Sequence, residues 1–207
     1  MAQFFAIHPR NPQRRLLESV AGILLDGGLI VYPTDSCYAL GCQLGEKTAA
    51  ERVRRIRETD KDHNFTLVCR DLSEIAVYAR VDNQAYRLLR SLTPGPYTFI
   101  LRATGEVPKR LQHPKRRSIG IRVPSHAIAQ GILATLNAPL MSSTLILPGD
   151  ELPMTDAEEI RKRLEQDVDA VVDGGSCGLE PTTVLDLSEG GVVVRRKGKG
   201  EVAFLER

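Results

Sequence analysis

The stretch LIVYPTDSCYALGC, residues 29–42, decides the fold prediction. Its first four residues are apolar and partly β-branched, which is typical of a strand buried on both faces. Pro33 ends that strand, and the polar residues Thr34, Asp35 and Ser36 follow as a turn. Ligands of open α/β sheets bind outside strand ends, so the stretch predicts a buried strand with a binding site at its end.

Helices and strands alternate irregularly on both sides of this stretch. The spacing of apolar residues and the positions of Pro and Gly predict helices over 11–26, 49–57, 71–79, 83–92 and 125–136, and one that ends near 165. Apolar runs predict strands at 65–69, 97–103, 118–123, 139–147, 170–173, 182–187 and 191–196. The last three strands have few residues between them, which breaks strict βαβ repetition. The pattern therefore predicts an α/β fold: a single-domain twisted mixed sheet, with helices on its faces, over residues 1–207.

Composition limits the class of protein. The 207 residues suffice for one well-buried core, and no run of about 18 apolar residues predicts a membrane span. The N-terminus lacks the pattern of a signal peptide, so we expect a cytoplasmic protein without membrane partners. The four cysteines include one C-x4-C pair and no second close pair, so we expect reduced, buried thiols and no dedicated metal site.

Basic residues are clustered although the net charge is only +2. The clusters comprise Arg52, Arg54, Arg55 and Arg57; Lys109, Arg110, Lys115, Arg116 and Arg117; and Arg195, Arg196, Lys197 and Lys199. Such clusters form either a local positive surface for phosphates or ordinary solvated faces.

Hydroxyl groups mark the turn after the first strand. Thr34, Ser36 and Tyr38 alternate, so an extended chain would point all three the same way, toward a polar ligand. The alternative is a turn in which Thr34 and Asp35 bond nearby backbone.

Two further segments carry candidate binding groups. Arg122 ends an apolar strand, where it needs either a carboxylate partner or an anionic ligand, and Ser125 is predicted to cap the helix that follows. Ser142, Ser143 and Thr144 form a row of hydroxyls on another strand. The chain contains no Walker-type or Rossmann-type glycine loop, so any nucleotide would be bound by other means.

Four ordered segments together resemble the YrdC/YciO family. They are YPTDSCYALGC (32–42), PGPYT (94–98), GIRVPSH (120–126) and PTTVLD (181–186), and they span most of the chain. The opening QFFAIHPRNPQ and the stretch HNFTLVCRDLSE resemble the YciO branch.

The resemblance implies a concave, positively charged cavity and an activity. Family members make threonylcarbamoyl-AMP from L-threonine, bicarbonate and ATP with Mg²⁺, for tRNA modification, and members are also associated with double-stranded RNA or tRNA. By resemblance, the threonine-type pocket comprises Thr34, Ser36, Tyr38, Arg122 and Thr182. The nucleotide and phosphate side comprises Arg55, Arg57, Lys61, Thr98, Ser143, Thr144 and Arg196. No catalytic residue is assigned.

The chain departs from the synthase branch at two motifs. The K-x-R motif aligns with Arg57 and Thr59, or with Arg55 and Arg57 in a shifted register. The S-x-N motif aligns with Thr144 and Ile146, so that Ile replaces an Asn expected to face a ligand. Losing one such polar contact costs about 1–3 kcal/mol. Two functions are therefore expected: a synthase of weak or altered activity, or an RNA-binding protein without that activity.

Overall fold

A single mixed sheet organises the protein. The computed structural model describes residues 1–58 and 65–205, and within them ten strands lie in the order β1-β8-β2-β3-β7-β4-β6-β5-β9-β10. The strands are β1 (Gln3–Ala6), β2 (Ile30–Tyr32), β3 (Ala39–Gln43), β4 (Thr66–Val68), β5 (Tyr97–Arg102), β6 (Ser118–Arg122), β7 (Leu140–Thr144), β8 (Ala170–Asp173), β9 (Thr183–Asp186) and β10 (Val193–Arg196). The helices are α1 (Arg14–Leu25), α2 (Lys47–Arg57), α3 (Leu72–Tyr78), α4 (Asn83–Leu92), α5 (Ala127–Leu136) and α6 (Ala157–Leu164). The predicted α/β fold with a mixed sheet is confirmed.

The opening stretch forms a hairpin rather than one strand and a loop. Strand β2 pairs antiparallel with β3, with Ile30 opposite Gly41 and Tyr32 opposite Ala39. The predicted strand at 29–32 is confirmed, but β3 was not predicted. The polar turn at residues 33–38 therefore connects two adjacent strands near the middle of the sheet.

Both faces of β2 are buried, as its sequence predicts. Leu29 and Val31 belong to one apolar cluster, while Ile30 and Tyr32 belong to the other, because successive side chains point to opposite faces. Helices α2, α3, α4 and α6 contribute to the first cluster, whereas α1 and α5 contribute to the second. The sheet is thus covered by helices on both faces around β2.

Strands β6 and β5 have one apolar and one polar face. Ile121 and Phe99 lie fully buried in the first apolar cluster. Their neighbours Arg122 and Thr98 therefore point to the opposite face, where a cavity lies.

No helix in the described part of the chain is long and apolar enough to cross a membrane.

Candidate functional site

A cavity of about 270 Å³ lies over the strands at the centre and one side of the sheet. Its lining is rich in arginine and hydroxyl groups. The polar and charged lining residues are Arg57, Thr66, Thr98, His113, Arg116, Ser118, Arg122, Ser142, Ser143, Thr144, Thr182 and Arg196. Among the described residues that line it, none is acidic, so the cavity offers donors and positive charge to a ligand.

Arg122 is the most deeply placed of these cations. Its side chain is 9% exposed and pairs with Asp35, whose side chain is 10% exposed. Nη1 also donates to Ser36 Oγ at 3.2 Å. Within the described residues Nε has no hydrogen-bond partner, so the guanidinium keeps one buried donor for a ligand.

Asp35 joins the turn after β2 to the segment that leads into α5. Its carboxylate accepts from Ser125 N at 2.9 Å and from Ser125 Oγ at 3.0 Å. The N-cap of α5 is His126, so the predicted capping role of Ser125 is wrong. The carboxylate thus ties the turn to one distant segment of the chain, through Arg122 and Ser125.

The three hydroxyls of the turn do not point the same way. Thr34 Oγ1 donates to Cys37 O at 2.7 Å and lies 3.0 Å from Ser36 Oγ, whereas Tyr38 OH donates to Gly175 O at 2.7 Å. These three residues are buried and are not among those lining the cavity. Thr34 makes the local backbone contacts of the predicted alternative. Ser36 reaches the cavity indirectly, through its contact with Arg122.

Arg57 projects from the last residue of α2 into the cavity. Nη1 donates to Ser143 Oγ at 2.6 Å, and Nε donates to Ile146 O at 3.3 Å. Burial lowers the pKa of the Arg57 guanidinium below its ordinary value. The residue brings positive charge beside the hydroxyls of Ser143 and Thr144.

Arg196 and two threonines form the opposite wall. Arg196 Nη2 donates to Thr182 O at 2.9 Å, and Thr182 Oγ1 lies 2.8 Å from Thr98 Oγ1. Both threonines are buried. The predicted residues Thr98, Thr182 and Arg196 are therefore brought together, although they come from three different strand ends.

Other residues of the predicted phosphate side and of the two departing motifs do not line the cavity or lie outside the described residues. Arg55 is 68% exposed and donates to Asp167 Oδ1 at 3.3 Å, away from the cavity. Lys61 and Thr59 lie outside the described residues. Ile146, expected to face a ligand, is half-buried and is not among the lining residues.

The sequence analysis missed His113 and Arg116 as lining residues. Arg116 was seen only as part of a basic cluster, and the pattern of Lys115, Arg116 and Arg117 does not show which side chain turns inward. The structure distinguishes Arg116 because it pairs with Asp186 at 3.0 Å, and that carboxylate is 3% exposed. Since Asp186 comes from β9, only the fold connects the two residues.

The cysteines are free thiols in buried or half-buried positions. Burial raises the pKa of Cys42 to about 12 and that of Cys177 to about 11, so both stay protonated at neutral pH. Within the described residues, no group of three His, Cys, Asp or Glu side chains is placed to hold a metal ion.

The fold and this cavity define a known class of protein. A family model for the Sua5, YciO and YrdC proteins, described as "Telomere recombination", matches residues 22–198. The chain belongs to this family, and the resemblance predicted from its motifs is confirmed.

Particular relatives locate the chain within the family. It is similar to the YciO protein of Escherichia coli, with 54% identity over 202 residues that cover 98% of each chain. The crystal structure of that protein matches with a TM-score of 0.94. A threonylcarbamoyl-AMP synthase of Chromobacterium violaceum is 31% identical over 186 residues, which cover 89% of this chain and 95% of the synthase.

A more distant structure shares the fold. The P. abyssi Sua5 protein complexed with L-threonine matches with a TM-score of 0.89 and 22% identity, over 98% of this chain and 59% of that one.

Proposed function

We propose that this chain is a threonylcarbamoyl-AMP synthase of altered activity, which joins L-threonine, bicarbonate and ATP and releases pyrophosphate. One observation carries the proposal: the cavity contains four arginines and a set of hydroxyls, and no acidic residue among the described lining residues. Such a lining suits an anionic substrate of the size of a nucleotide's phosphates. The 31% identity to the Chromobacterium violaceum synthase supports the same reaction.

The reaction has two bond-forming steps. The threonine amino group attacks the carbon of bicarbonate, and water leaves, which gives N-carboxythreonine. Its new carboxylate oxygen then attacks the α-phosphorus of ATP. As that oxygen–phosphorus bond forms, the bond between the α-phosphorus and the bridging oxygen breaks, and pyrophosphate leaves with the electron pair.

Arg57 and Arg196 would supply the charge that this step needs. They reach the cavity from the end of α2 and from β10, and both donate to neutral oxygens of the wall. Fixed cations stabilise the negative charge that develops on the phosphates in the transition state. The hydroxyls of Ser143 and Thr144 would orient phosphate oxygens beside Arg57.

Arg122 would hold the small substrate. Its pairing with Asp35 fixes the guanidinium, and its Nε has no partner among the described residues. A substrate carboxylate would satisfy that buried donor with a charge-assisted hydrogen bond. Thr98 and Thr182, one hydrogen bond apart, offer hydroxyls for a second polar group.

Magnesium would enter with ATP. Hard cations prefer oxygen ligands, and the described lining provides hydroxyls but no carboxylate. The ligands of the ion would therefore be phosphate oxygens and water.

The test is synthesis of the labelled adenylate. The protein is incubated with labelled threonine, bicarbonate, ATP and magnesium, with an active synthase alongside. Product above a no-enzyme control is expected. Product in the synthase reaction only would refute the proposal.

A matched pair of variants then tests the site. Arg57→Gln removes a cation that lines the cavity, so product formation is expected to fall roughly 10- to 100-fold. Arg55→Gln removes the same charge from the same helix, two residues earlier and outside the cavity, and should change the rate less than about twofold. Equal effects of the two variants would contradict the assigned cavity.

RNA binding and tRNA modification stay predictions. In the first basic cluster, Arg52 pairs with Asp169 at 2.6 Å and Arg55 with Asp167 at 3.3 Å. Those two charges are partly neutralised within the fold, so they would contribute less to binding RNA phosphates than unpaired cations.

A further inference from the structure

A second cavity, of about 600 Å³, adjoins the first. The connection between β5 and β6, residues 103–117, forms most of its lining, together with Arg80 and Arg102. His113 and Arg116 line both cavities, so the two spaces share a wall. The proposed function uses only the first cavity.

The second cavity gathers positive charge in its lining. Its lining contains the cations Arg80, Arg102, Lys109, Arg116 and Arg117, and no acidic residue among those described. Only Arg116 of these forms an ion pair with a described residue, at 3.0 Å from Asp186. The side chains of Arg80, Lys109 and Arg117 form no hydrogen bond within the described residues. Since the whole chain has a net charge of only +2, this concentration is local.

Several of these cations belong to backbone segments that are held by hydrogen bonds. Ala103 N donates to Arg117 O at 2.9 Å, and Thr104 N donates to Tyr78 O at 2.9 Å. Arg80 N donates to Arg102 O at 2.8 Å. Arg117 adopts a left-handed conformation, with φ of 50°, which is uncommon for a residue with a side chain. These contacts hold the cations around one space rather than along a free loop.

The positive charge and the volume of the second cavity indicate which class of ligand it would bind. A metal ion would be repelled by five cations and would find no carboxylate among the described lining residues. A single phosphate would contact only part of the lining. Linked phosphates carry several charges at a spacing that arginine and lysine side chains can follow, and guanidinium groups bind phosphate oxygens in pairs. We propose that the second cavity is a binding site for an oligophosphate, an anion with two or more linked phosphate groups.

This proposal goes beyond the synthase function and does not depend on it. A chain that makes no threonylcarbamoyl-AMP would still have the second cavity, so the two proposals fail by separate experiments.

The probe is inorganic tripolyphosphate, followed by amide NMR of the ¹⁵N-labelled protein. Gly105 lines only the second cavity, so its amide reports on that site. We expect its signal to shift and saturate with tripolyphosphate, while sodium chloride at the same ionic strength leaves it in place.

Two double variants of equal charge distinguish binding in the second cavity from a general attraction of tripolyphosphate to the protein's positive charge. Lys109→Gln with Arg117→Gln removes two lining cations, and the affinity read at Gly105 is expected to fall roughly 10-fold. Arg87→Gln with Arg90→Gln removes the same charge from the exposed face of α4 and is expected to change that affinity less than about twofold.

Two outcomes would overturn the proposal. In the first, the Gly105 amide does not move with tripolyphosphate, and a shift produced by a short RNA duplex in that case would assign the surface to a nucleic acid instead. In the second, the two double variants weaken binding equally.

Discussion

Replacing Asp35 by Asn tests whether the turn after β2 is held by one buried charge pair. The Asp35 and Arg122 side chains are 10% and 9% exposed, so each charge depends on the other for compensation. Asp35 also accepts from Ser125 N at 2.9 Å and Ser125 Oγ at 3.0 Å. An amide of the same shape removes the negative charge and places an NH₂ group against donors.

The expected cost is large compared with the stability of a domain. Removing one partner of a buried pair leaves an uncompensated charge and typically costs about 3–5 kcal/mol. We expect about 3 kcal/mol for Asp35→Asn, because the two side chains keep slight contact with water. An average domain is stable by about 5–15 kcal/mol, so the variant should fold with a much lower denaturation midpoint.

Urea unfolding followed by circular dichroism measures the loss. Glu18→Gln is the control, because Glu18 pairs with Arg14 at 2.7 Å while their side chains are 51% and 90% exposed. That exposed pair should contribute less than about 1 kcal/mol. Arg122→Met completes a double-mutant cycle with Asp35→Asn, where a coupling of about 2 kcal/mol or more is expected. A cost for Asp35→Asn no larger than that of the control would refute the argument.

Three further predictions test packing and charge around the sheet. Arg52→Met should lower the unfolding free energy by about 1–2 kcal/mol, because it removes hydrogen bonds to the Asp169 carboxylate and to the Asp167 carbonyl oxygen. Arg55→Met should lower it by less than about 0.5 kcal/mol, because the Arg55 side chain is largely exposed. Burial lowers the pKa of His126 below its ordinary 6.5, so the unfolded state binds the proton more readily than the folded state. The unfolding free energy should therefore fall as the pH decreases through 6.5 and below it. His126→Gln should flatten the slope of the unfolding free energy against pH between about pH 7 and 5. Gly198→Ala should lower the melting temperature by several degrees, because an added Cβ would overlap the Pro181 carbonyl oxygen, and an unchanged melting temperature would show that the C-terminal segment is not held there.

The fold was largely predictable because most strands are short apolar runs between Gly and Pro. Strand β3 was missed for a physical reason: Ala39–Gln43 follows a polar turn and contains a glycine, and its pairing with β2 and β7 is visible only in the sheet. The glycine itself is required there, because a Cβ at Gly41 would lie 2.7 Å from the Tyr32 ring. Gly41, which made a strand harder to predict, is thus required for packing against Tyr32.

The site was less predictable because its main contacts join residues far apart in sequence. The expected alignment of Thr34, Ser36 and Tyr38 rested on an extended chain, but residues 33–38 form a turn, and alternation fails in a turn. The alternative interpretation had Asp35 bonding nearby backbone, yet the partners of its carboxylate, Arg122 and Ser125, lie about 90 positions further along the chain.

The position of Ile146 reduces the expected effect of the Ile that stands where the synthase motif has Asn. Its side chain is not among the cavity-lining residues, and the residue takes part through its carbonyl oxygen, which accepts from Arg57 Nε at 3.3 Å. A main-chain acceptor is present whatever the side chain, so the exchange of Asn for Ile leaves this contact in place. The same guanidinium also binds Ser143, which holds its charge at the cavity wall. The departure therefore does not remove the cationic side of the cavity, and the comparison of Arg57→Gln with Arg55→Gln measures whether that charge acts on a substrate.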